Sequence, residues 1–131
     1  MPSTTIEVRR AYSLDEEVAL VEAVQTALRQ ALRLPEWDRN VRLVVHQPHR
    51  FAAPSNRAQP DRYTIVSIDM FAGRTLDTKR ALYRAICERL APCGIPPDHV
   101  LILLREIPRE SWGVRGGQAA SDVELGFEVE I

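Results

Sequence analysis

The spacing of apolar residues predicts two amphipathic helices. Over residues 13–34 apolar side chains recur three or four positions apart, which is the period of a helix with one buried face. Ser13 followed by Glu16 is a capping box that sets the start of this helix. Residues 75–93 repeat the pattern, with an apolar face of Leu82, Ile86 and Leu90.

Four further segments have the short apolar or alternating pattern of β-strands. These segments are residues 3–10, 41–47, 63–71 and 99–107. Residues 48–62 contain three prolines and no periodicity, and they are predicted to form a long loop. The sequence thus predicts the order strand, helix, strand, long loop, strand, helix, strand.

The two halves of this pattern are a tandem repeat with an offset of about sixty residues, in which Ser13-Leu14-Asp15 corresponds to Thr75-Leu76-Asp77. Two β-α-β units, about 2–48 and 62–108, predict an α+β fold built from an α/β-type repeat. Its four-stranded sheet would have both helices on one face. Neither set of alternating strand positions is plainly polar, so we expect the uncovered face to be buried between subunits.

The C-terminal segment 109–131 is predicted to be an arm. It contains a glycine-rich turn and then alternating apolar residues, which indicate a loop followed by a short strand. The alternating residues are Val123, Leu125, Phe127 and Val129.

Composition narrows the class of protein. The chain has 131 residues, 45% of them hydrophobic, which suits one domain. A net charge of −1 and a pI near 6.3 disfavour nucleic acid or an anionic membrane as a partner. No signal peptide or membrane-spanning run is evident, so we expect a cytoplasmic protein. Cys87 and Cys93 are expected to be reduced, and His46 and His49 lack the ligand spacing of a metal site.

Three residues could carry chemistry, and each has a structural alternative. Removal of Met1 would leave Pro2 as a secondary amine at the start of a strand, although proline is also tolerated there for structural reasons. Arg74 precedes a helix, where a substrate carboxylate would meet both a guanidinium and the positive end of the helix dipole. The structural alternative is an arginine whose side chain faces solvent. Asp38 follows the first helix, where aspartate often forms a turn, and Asp98 has the same place in the second half.

The sequence resembles the tautomerase superfamily, and within it the group of malonate semialdehyde decarboxylases. The resemblance rests on Pro2, the tandem repeat, LPEWDR at 34–39, GRTLDTKRALYRAI at 73–86 and SWGVRGG at 111–117. It covers nearly the whole chain, so residues 1–131 are expected to form a single tautomerase-like domain.

The resemblance implies a homotrimer with active sites between subunits and no cofactor. Pro2 matches the catalytic proline, Asp38 an acidic residue that positions or activates water or substrate, and Arg74 an arginine that binds a substrate carboxylate. Trp112 matches an aromatic pocket residue. Ala72 departs from the decarboxylase pattern, in which the first arginine of an R-x-R motif occupies this position.

Three functions remain open on the sequence. A neutral Pro2 would act as a base in keto-enol tautomerisation of a small 2-oxo acid, with Arg74 on the carboxylate. A protonated Pro2 would instead polarise a carbonyl for decarboxylation or hydration of malonate semialdehyde or a related 3-oxo acid. Ala72 weakens this second interpretation. The third possibility is a non-catalytic oligomer that uses its open sheet to bind other proteins.

Overall fold

A computed structural model describes residues 1–126, which contain one four-stranded sheet, two long helices and a small hairpin. The strands of the sheet are β1 (Ser3–Val8), β2 (Val41–Val45), β3 (Thr64–Phe71) and β4 (Val100–Ile107). The helices are α1 (Leu14–Leu32) and α2 (Leu76–Leu90), and the hairpin joins β5 (Gly113–Val114) to β6 (Gln118–Ala119).

The sheet consists of two β-α-β units joined through their first strands. Its order is β2-β1-β3-β4, in which β1 is parallel to β2 and β3 is parallel to β4. The central strands β1 and β3 are antiparallel, with Ile6 opposite Val66. The predicted fold class is therefore confirmed, because each helix connects two adjacent parallel strands.

Both helices cover the same face of the sheet. One apolar core contains alternate residues of β1 and β3, such as Ile6 and Ile68, together with Leu28 of α1 and Ile86 of α2. The opposite face, which neither α1 nor α2 covers, exposes Leu101 and Leu103 of β4.

An ion pair on the uncovered face balances a charge within an otherwise apolar strand. Asp69 lies opposite Arg105 in the β3–β4 register, and Arg105 Nε donates to Asp69 Oδ1 at 2.6 Å. The Asp69 pairing raises the pKa of Arg105. A carboxylate without a partner would be costly if this face were buried, and the ion pair with Arg105 reduces that cost.

The helix boundaries follow the predicted signals. The Ser13 hydroxyl accepts from the Glu16 backbone N–H, and the Glu16 carboxylate accepts from the Ser13 backbone N–H. The capping box is therefore confirmed. α2 ends at Leu90, earlier than predicted, because residues 91–93 tighten into a 3₁₀ turn that ends at Gly94 with φ 85°.

The predicted long loop contains two 3₁₀ turns, Pro48–Arg50 and Pro60–Arg62, and each begins with a proline. This local order was not predicted, since a single turn leaves no periodic apolar pattern. In the C-terminal arm, residues 123–126 are not in a strand, so this part of the predicted strand is wrong. Phe127 and Val129 lie outside the described residues.

None of the helices formed within residues 1–126 combines the length and apolar character needed to cross a membrane.

Candidate active site

The N-terminal amine lies beside a buried carboxylate at one end of the sheet. Pro2 is buried and directly precedes β1. The nitrogen of Met1 lies 3.3 Å from Oδ2 of Asp38, whose side chain is 5% exposed. Asp38 is thus placed against the first residues of β1, although it is 36 positions away from Pro2 in the sequence.

Hydrogen bonds to its backbone hold Asp38 in this place. The Asp38 N–H donates to the carbonyl of Pro35 at 3.1 Å, which closes the turn after α1. The side-chain amide of Gln25, buried on α1, donates to the Asp38 carbonyl at 3.0 Å. Gln25 was not among the predicted site residues, because its only sequence signal was a polar side chain on the apolar face of a helix.

Asp98, the counterpart of Asp38 in the second half, has a different environment. Its carboxylate accepts a hydrogen bond from Nδ1 of His99 at 2.7 Å and is 72% exposed. The two halves therefore share a chain path but not a site, and the repeat does not argue against a chemical role for Asp38.

Arg74 is buried, and two of its side-chain nitrogens lack a hydrogen-bond partner within residues 1–126. Its side chain is 5% exposed, and neither Nε nor Nη2 has a hydrogen-bond partner within the part of the chain that the structure describes. The solvent-facing alternative for Arg74 is therefore wrong. Buried guanidinium donors without acceptors are costly, so this arrangement favours an anion bound against Arg74.

The elements on either side place Arg74 at the same end of the sheet as Met1. Gly73, with φ 128°, links the end of β3 to Arg74 through a backbone conformation that favours glycine. Thr75 then caps α2 by accepting from the Thr78 backbone N–H. Arg74 thus lies between the last residue of a central strand and the positive end of a helix.

The charges at this end act on one another. Burial lowers the pKa of the Met1 amine, Asp38 opposes that change, and Arg74 lowers the pKa further. Burial also lowers the pKa of Arg74, which Asp38 opposes and Arg109 reinforces. The Asp38 carboxylate and the Arg74 guanidinium are therefore close enough to the Met1 amine to act on its pKa.

Arg109 is a second cation near this site, and it was not among the predicted site residues. It begins the turn after β4, whose last residue Ile107 lies opposite Phe71 at the end of β3. The Arg109 carbonyl accepts from the Trp112 backbone N–H at 3.2 Å, whereas its side chain makes no hydrogen bond or ion pair within residues 1–126. Its only sequence signal was its position after the last strand of the repeat.

Trp112 has a packing role at the edge of the site. Its ring meets Phe71 edge-to-face with 4.9 Å between centroids, and its Nε1–H donates to the carbonyl of Ile107 at 3.2 Å. An apolar cluster forms around Phe71, and the side chain of Met1 packs against it. We call this group the Phe71 cluster: Phe71, Ala120 and Leu125, which are buried, and Trp112, Val114 and Val123.

The residues predicted for the site therefore lie at one end of the sheet, around Met1. They are Pro2, Asp38, Arg74 and Trp112. The site contains an N-terminal amine that can accept or donate a proton. Beside it are the Asp38 carboxylate and the Arg74 guanidinium, which is a cation suited to an anionic substrate. No group of three or more histidine, cysteine or carboxylate side chains that could hold a metal ion occurs within residues 1–126. His46, considered earlier, is hydrogen-bonded to Glu7 at 2.9 Å.

Sequence comparison assigns the family. The sequence model of the family described as tautomerase enzyme matches residues 38–115, which is more than half of the chain. A probable tautomerase from Ralstonia nicotianae is 30% identical over 53 residues, which are 40% of this chain and 76% of the relative. The chain therefore belongs to the tautomerase family and is an enzyme of that family. The non-catalytic alternative has no support from these relatives.

Solved structures share the fold. A malonate semialdehyde decarboxylase, FG41, inhibited by 3-bromopropiolate is 28% identical, with a TM-score of 0.81 over 94% of this chain and 98% of that chain. A fused 4-OT symmetric trimer is 25% identical, with a TM-score of 0.70 over 90% and 95%. Pt0534 inactivated by 2-oxo-3-pentynoate is 23% identical, with a TM-score of 0.83 over 93% and 99%, and it supports the fold alone.

Proposed function

We propose that this protein catalyses keto-enol tautomerisation of a small 2-oxo acid, with Pro2 as the proton-transfer group and Arg74 as the carboxylate-binding group. The observation that carries the proposal is the position of the N-terminal amine. In the unprocessed chain the Met1 amine lies 3.3 Å from the buried Asp38 carboxylate, and burial and Arg74 lower its pKa by more than Asp38 raises it.

Pro2 would become the N-terminal amine once Met1 is removed. Its nitrogen is one residue away from that of Met1, and Pro2 is buried. Burial is therefore expected to disfavour the protonated form of the Pro2 amine as well. Neutral Pro2 then takes a proton from C3 of the 2-oxo acid while water gives a proton to the carbonyl oxygen, which forms the enol. In the reverse direction protonated Pro2 gives its proton to C3 and the enol hydroxyl loses its proton to water, which restores the ketone.

Arg74 suits the carboxylate because it has unused donors. Nε and Nη2 are two neighbouring N–H groups of one guanidinium, and both are buried without acceptors in the described chain. A carboxylate can accept from both at once, which fixes its orientation as well as its position. Asp38 is proposed to position substrate or water on the other side of the amine.

A trimer is proposed as the working assembly. The uncovered sheet face exposes Leu101 and Leu103, and burial of such a face between subunits is favourable. The symmetric trimer formed by the fused 4-OT relative supports this proposal. Other subunits would then complete the walls of the site.

Decarboxylation of malonate semialdehyde is the second candidate, supported by the 28% identity to the FG41 decarboxylase across 94% of this chain. In that reaction the C–C bond to the carboxylate breaks, CO₂ leaves, and a protonated Pro2 stabilises the enolate that forms. Ala72 disfavours this candidate because no cation stands at the first arginine position of the R-x-R motif. The pKa of the Met1 amine is lowered, and a Pro2 amine in the same surroundings would favour a base over an acid.

The test is the ketonisation of enol phenylpyruvate, followed by ultraviolet absorbance, after mass spectrometry has confirmed that Met1 is absent. Wild type is expected to exceed the buffer rate, and Pro2→Ala is expected to lose most of that excess. Equal rates in the two proteins would overturn the assignment of Pro2. If wild type shows no excess while it releases CO₂ from malonate semialdehyde, the second candidate replaces the first.

A further inference from the structure

We propose that the end of the sheet opposite the candidate active site contains a second anion-binding site, formed by Arg10, Tyr12 and Arg62. We call these three residues the Arg62 site. Its ligand is a phosphate group, either the free ion or part of a small metabolite. The Arg62 site shares no residue with the proposed function and does not depend on it.

The tandem repeat places the Arg62 site where the second half of the chain would have its own active site. β1 and β3 are antiparallel, so the end of β1 lies beside the start of β3. Arg62 is two residues before β3, as Met1 is two residues before β1. Tyr12 precedes the cap of α1, as Arg74 precedes the cap of α2. The two ends of the sheet therefore have matching chain paths, and each has a buried guanidinium group.

Arg62 has hydrogen-bond donors that the fold leaves unused. Its Nε and Nη1 are buried, and neither has a hydrogen-bond partner within residues 1–126. The hydroxyl of Tyr12 is also buried and without a partner in the same part of the chain. Buried donors of this kind are costly, so an acceptor supplied by a ligand would stabilise this region.

Packing positions the Arg62 guanidinium beside the Tyr12 ring. The Cζ atom of Arg62 lies 5.6 Å from the centroid of that ring, and the Cζ atom of Arg10 lies 5.9 Å from it. Gly94 has φ 85°, and a Cβ atom at this position would lie 3.2 Å from Nη1 of Arg62. The close approach of the Gly94 backbone and the contact with Tyr12 together restrict the guanidinium before any ligand binds.

The charges of Arg10 and Arg62 act on the same region. The pKa of Glu16 is lowered chiefly by its hydrogen bonds with Ser13. The charges of Arg10 and Arg62 lower it further. Glu16 itself is exposed, and its Oε1 accepts from the Ser13 backbone N–H in the capping box. This carboxylate is therefore held at the start of α1 and does not pair with either arginine.

The other carboxylate beside the Arg62 site also has a different partner. Oδ1 of Asp61 lies 3.5 Å from Nε of Arg9. No carboxylate within residues 1–126 forms an ion pair with Arg10 or Arg62. A phosphate group carries about 1.5 to 2 negative charges near pH 7. Two unpaired cations therefore favour a phosphate group over a monocarboxylate.

The binding test is calorimetry with inorganic phosphate and full-length Arg74→Gln protein, in which the buried guanidinium of the active site is removed. We expect a Kd of about 1 mM or tighter. Addition of Arg62→Gln should weaken binding about tenfold or more, because hydrogen bonds to a charged acceptor are lost. Addition of Tyr12→Phe should weaken it about threefold to tenfold. Arg84→Gln is the matched control, exposed on α2, and should leave the Kd unchanged.

Two further ligands define the chemical class, with potassium chloride keeping the ionic strength equal. Propionate should bind about tenfold more weakly than phosphate, because it has a single charge. Methyl phosphate within about threefold of inorganic phosphate would identify the phosphate group of a larger molecule as the ligand. Much weaker binding of methyl phosphate would identify the free ion. Equal binding of propionate and phosphate would overturn the assignment to phosphate.

The second measurement follows Arg62 directly in wild-type protein, so it also decides the matter if a variant fails to fold. In protein labelled with ¹⁵N, phosphate should shift the Arg62 Nε–H signal with the Kd found by calorimetry. An Arg62 signal that stays in place at saturating phosphate would overturn the proposal. Equal Kd values after addition of Arg62→Gln and of Arg84→Gln would also overturn it. Neither measurement uses ketonisation, so these results are separate from the test of Pro2.

Discussion

The Met1 amine and the Asp38 carboxylate lie 3.3 Å apart, and this contact joins the start of β1 to the segment after α1. Three influences act on the pKa of an amine at this position. Burial is the largest and lowers it, Asp38 raises it, and Arg74 lowers it. The balance lies below the ordinary value of 8.0.

The pH dependence of enolisation should report this balance. If Pro2 acts as a base in the same surroundings, kcat/KM is retained above the pKa of the amine and lost as pH falls through it, with a midpoint below 8.0. Asp38→Asn removes an influence that raises the pKa, so the midpoint should move to lower pH. Arg74→Gln removes one that lowers it, so the midpoint should move to higher pH. Profiles of kcat/KM against pH for the two variants measure both shifts. Midpoints equal to that of wild type would contradict the prediction.

Substitutions of Arg74 and Arg109 are expected to raise KM by different amounts. Arg74→Gln is expected to raise KM about tenfold to a hundredfold, because hydrogen bonds between charged groups are lost from a buried position. Arg109→Gln should raise KM less, about threefold to tenfold, because Arg109 is half-buried and acts at longer range. Arg84→Gln on the exposed side of α2 is the control and should leave KM unchanged. Equal effects for Arg84 and Arg109 would rule out a role for Arg109 in binding.

Much of the fold could be predicted from the sequence because its signals are local. The helix period, the capping box at Ser13 and the repeated halves each depend on residues a few positions apart. Pro2, Asp38 and Arg74 could be named as candidates from their places in that pattern and from the family resemblance.

The surroundings of those candidates could not be predicted, because they depend on long-range packing. Arg74 is buried although it lies in the connection between β3 and α2, and the hydrogen bond from Gln25 to Asp38 links α1 to the segment that follows it. Arg109 and the contact of Met1 with the Phe71 cluster have no local sequence signal. Long-range contacts of this kind determine pKa values and affinity, whereas local patterns determine the elements.

A buried histidine should anchor the long loop. His99 is 1% exposed, and its Nε2 accepts from the backbone N–H of Gln59 at 3.0 Å while Nδ1 bonds Asp98. His99→Leu keeps an apolar volume but leaves the Gln59 N–H without its acceptor. The free energy of unfolding should fall by about 1–3 kcal/mol, and amide exchange at Gln59 should speed up.

His49→Leu is the matched control for this anchor, because His49 is exposed in the same loop. Urea unfolding followed by circular dichroism should give this variant a stability within about 0.5 kcal/mol of wild type. If the two leucine variants have the same unfolding free energy and the same exchange rate at Gln59, the His99 hydrogen bond does not hold the loop.

The two helix caps occupy equivalent places in the repeat, and they should differ in their effect on function. Ser13 caps α1 and Thr75 caps α2, each by accepting from a backbone N–H at 3.2 Å. Replacement of either by alanine should cost about 1 kcal/mol of stability, measured by urea unfolding. Only Thr75→Ala should also raise KM, because the first turn of α2 positions the adjacent Arg74, whereas Ser13 lies far from that residue along the chain. Equal KM values in the two variants, at equal stability, would show that the α2 cap has no part in binding the carboxylate.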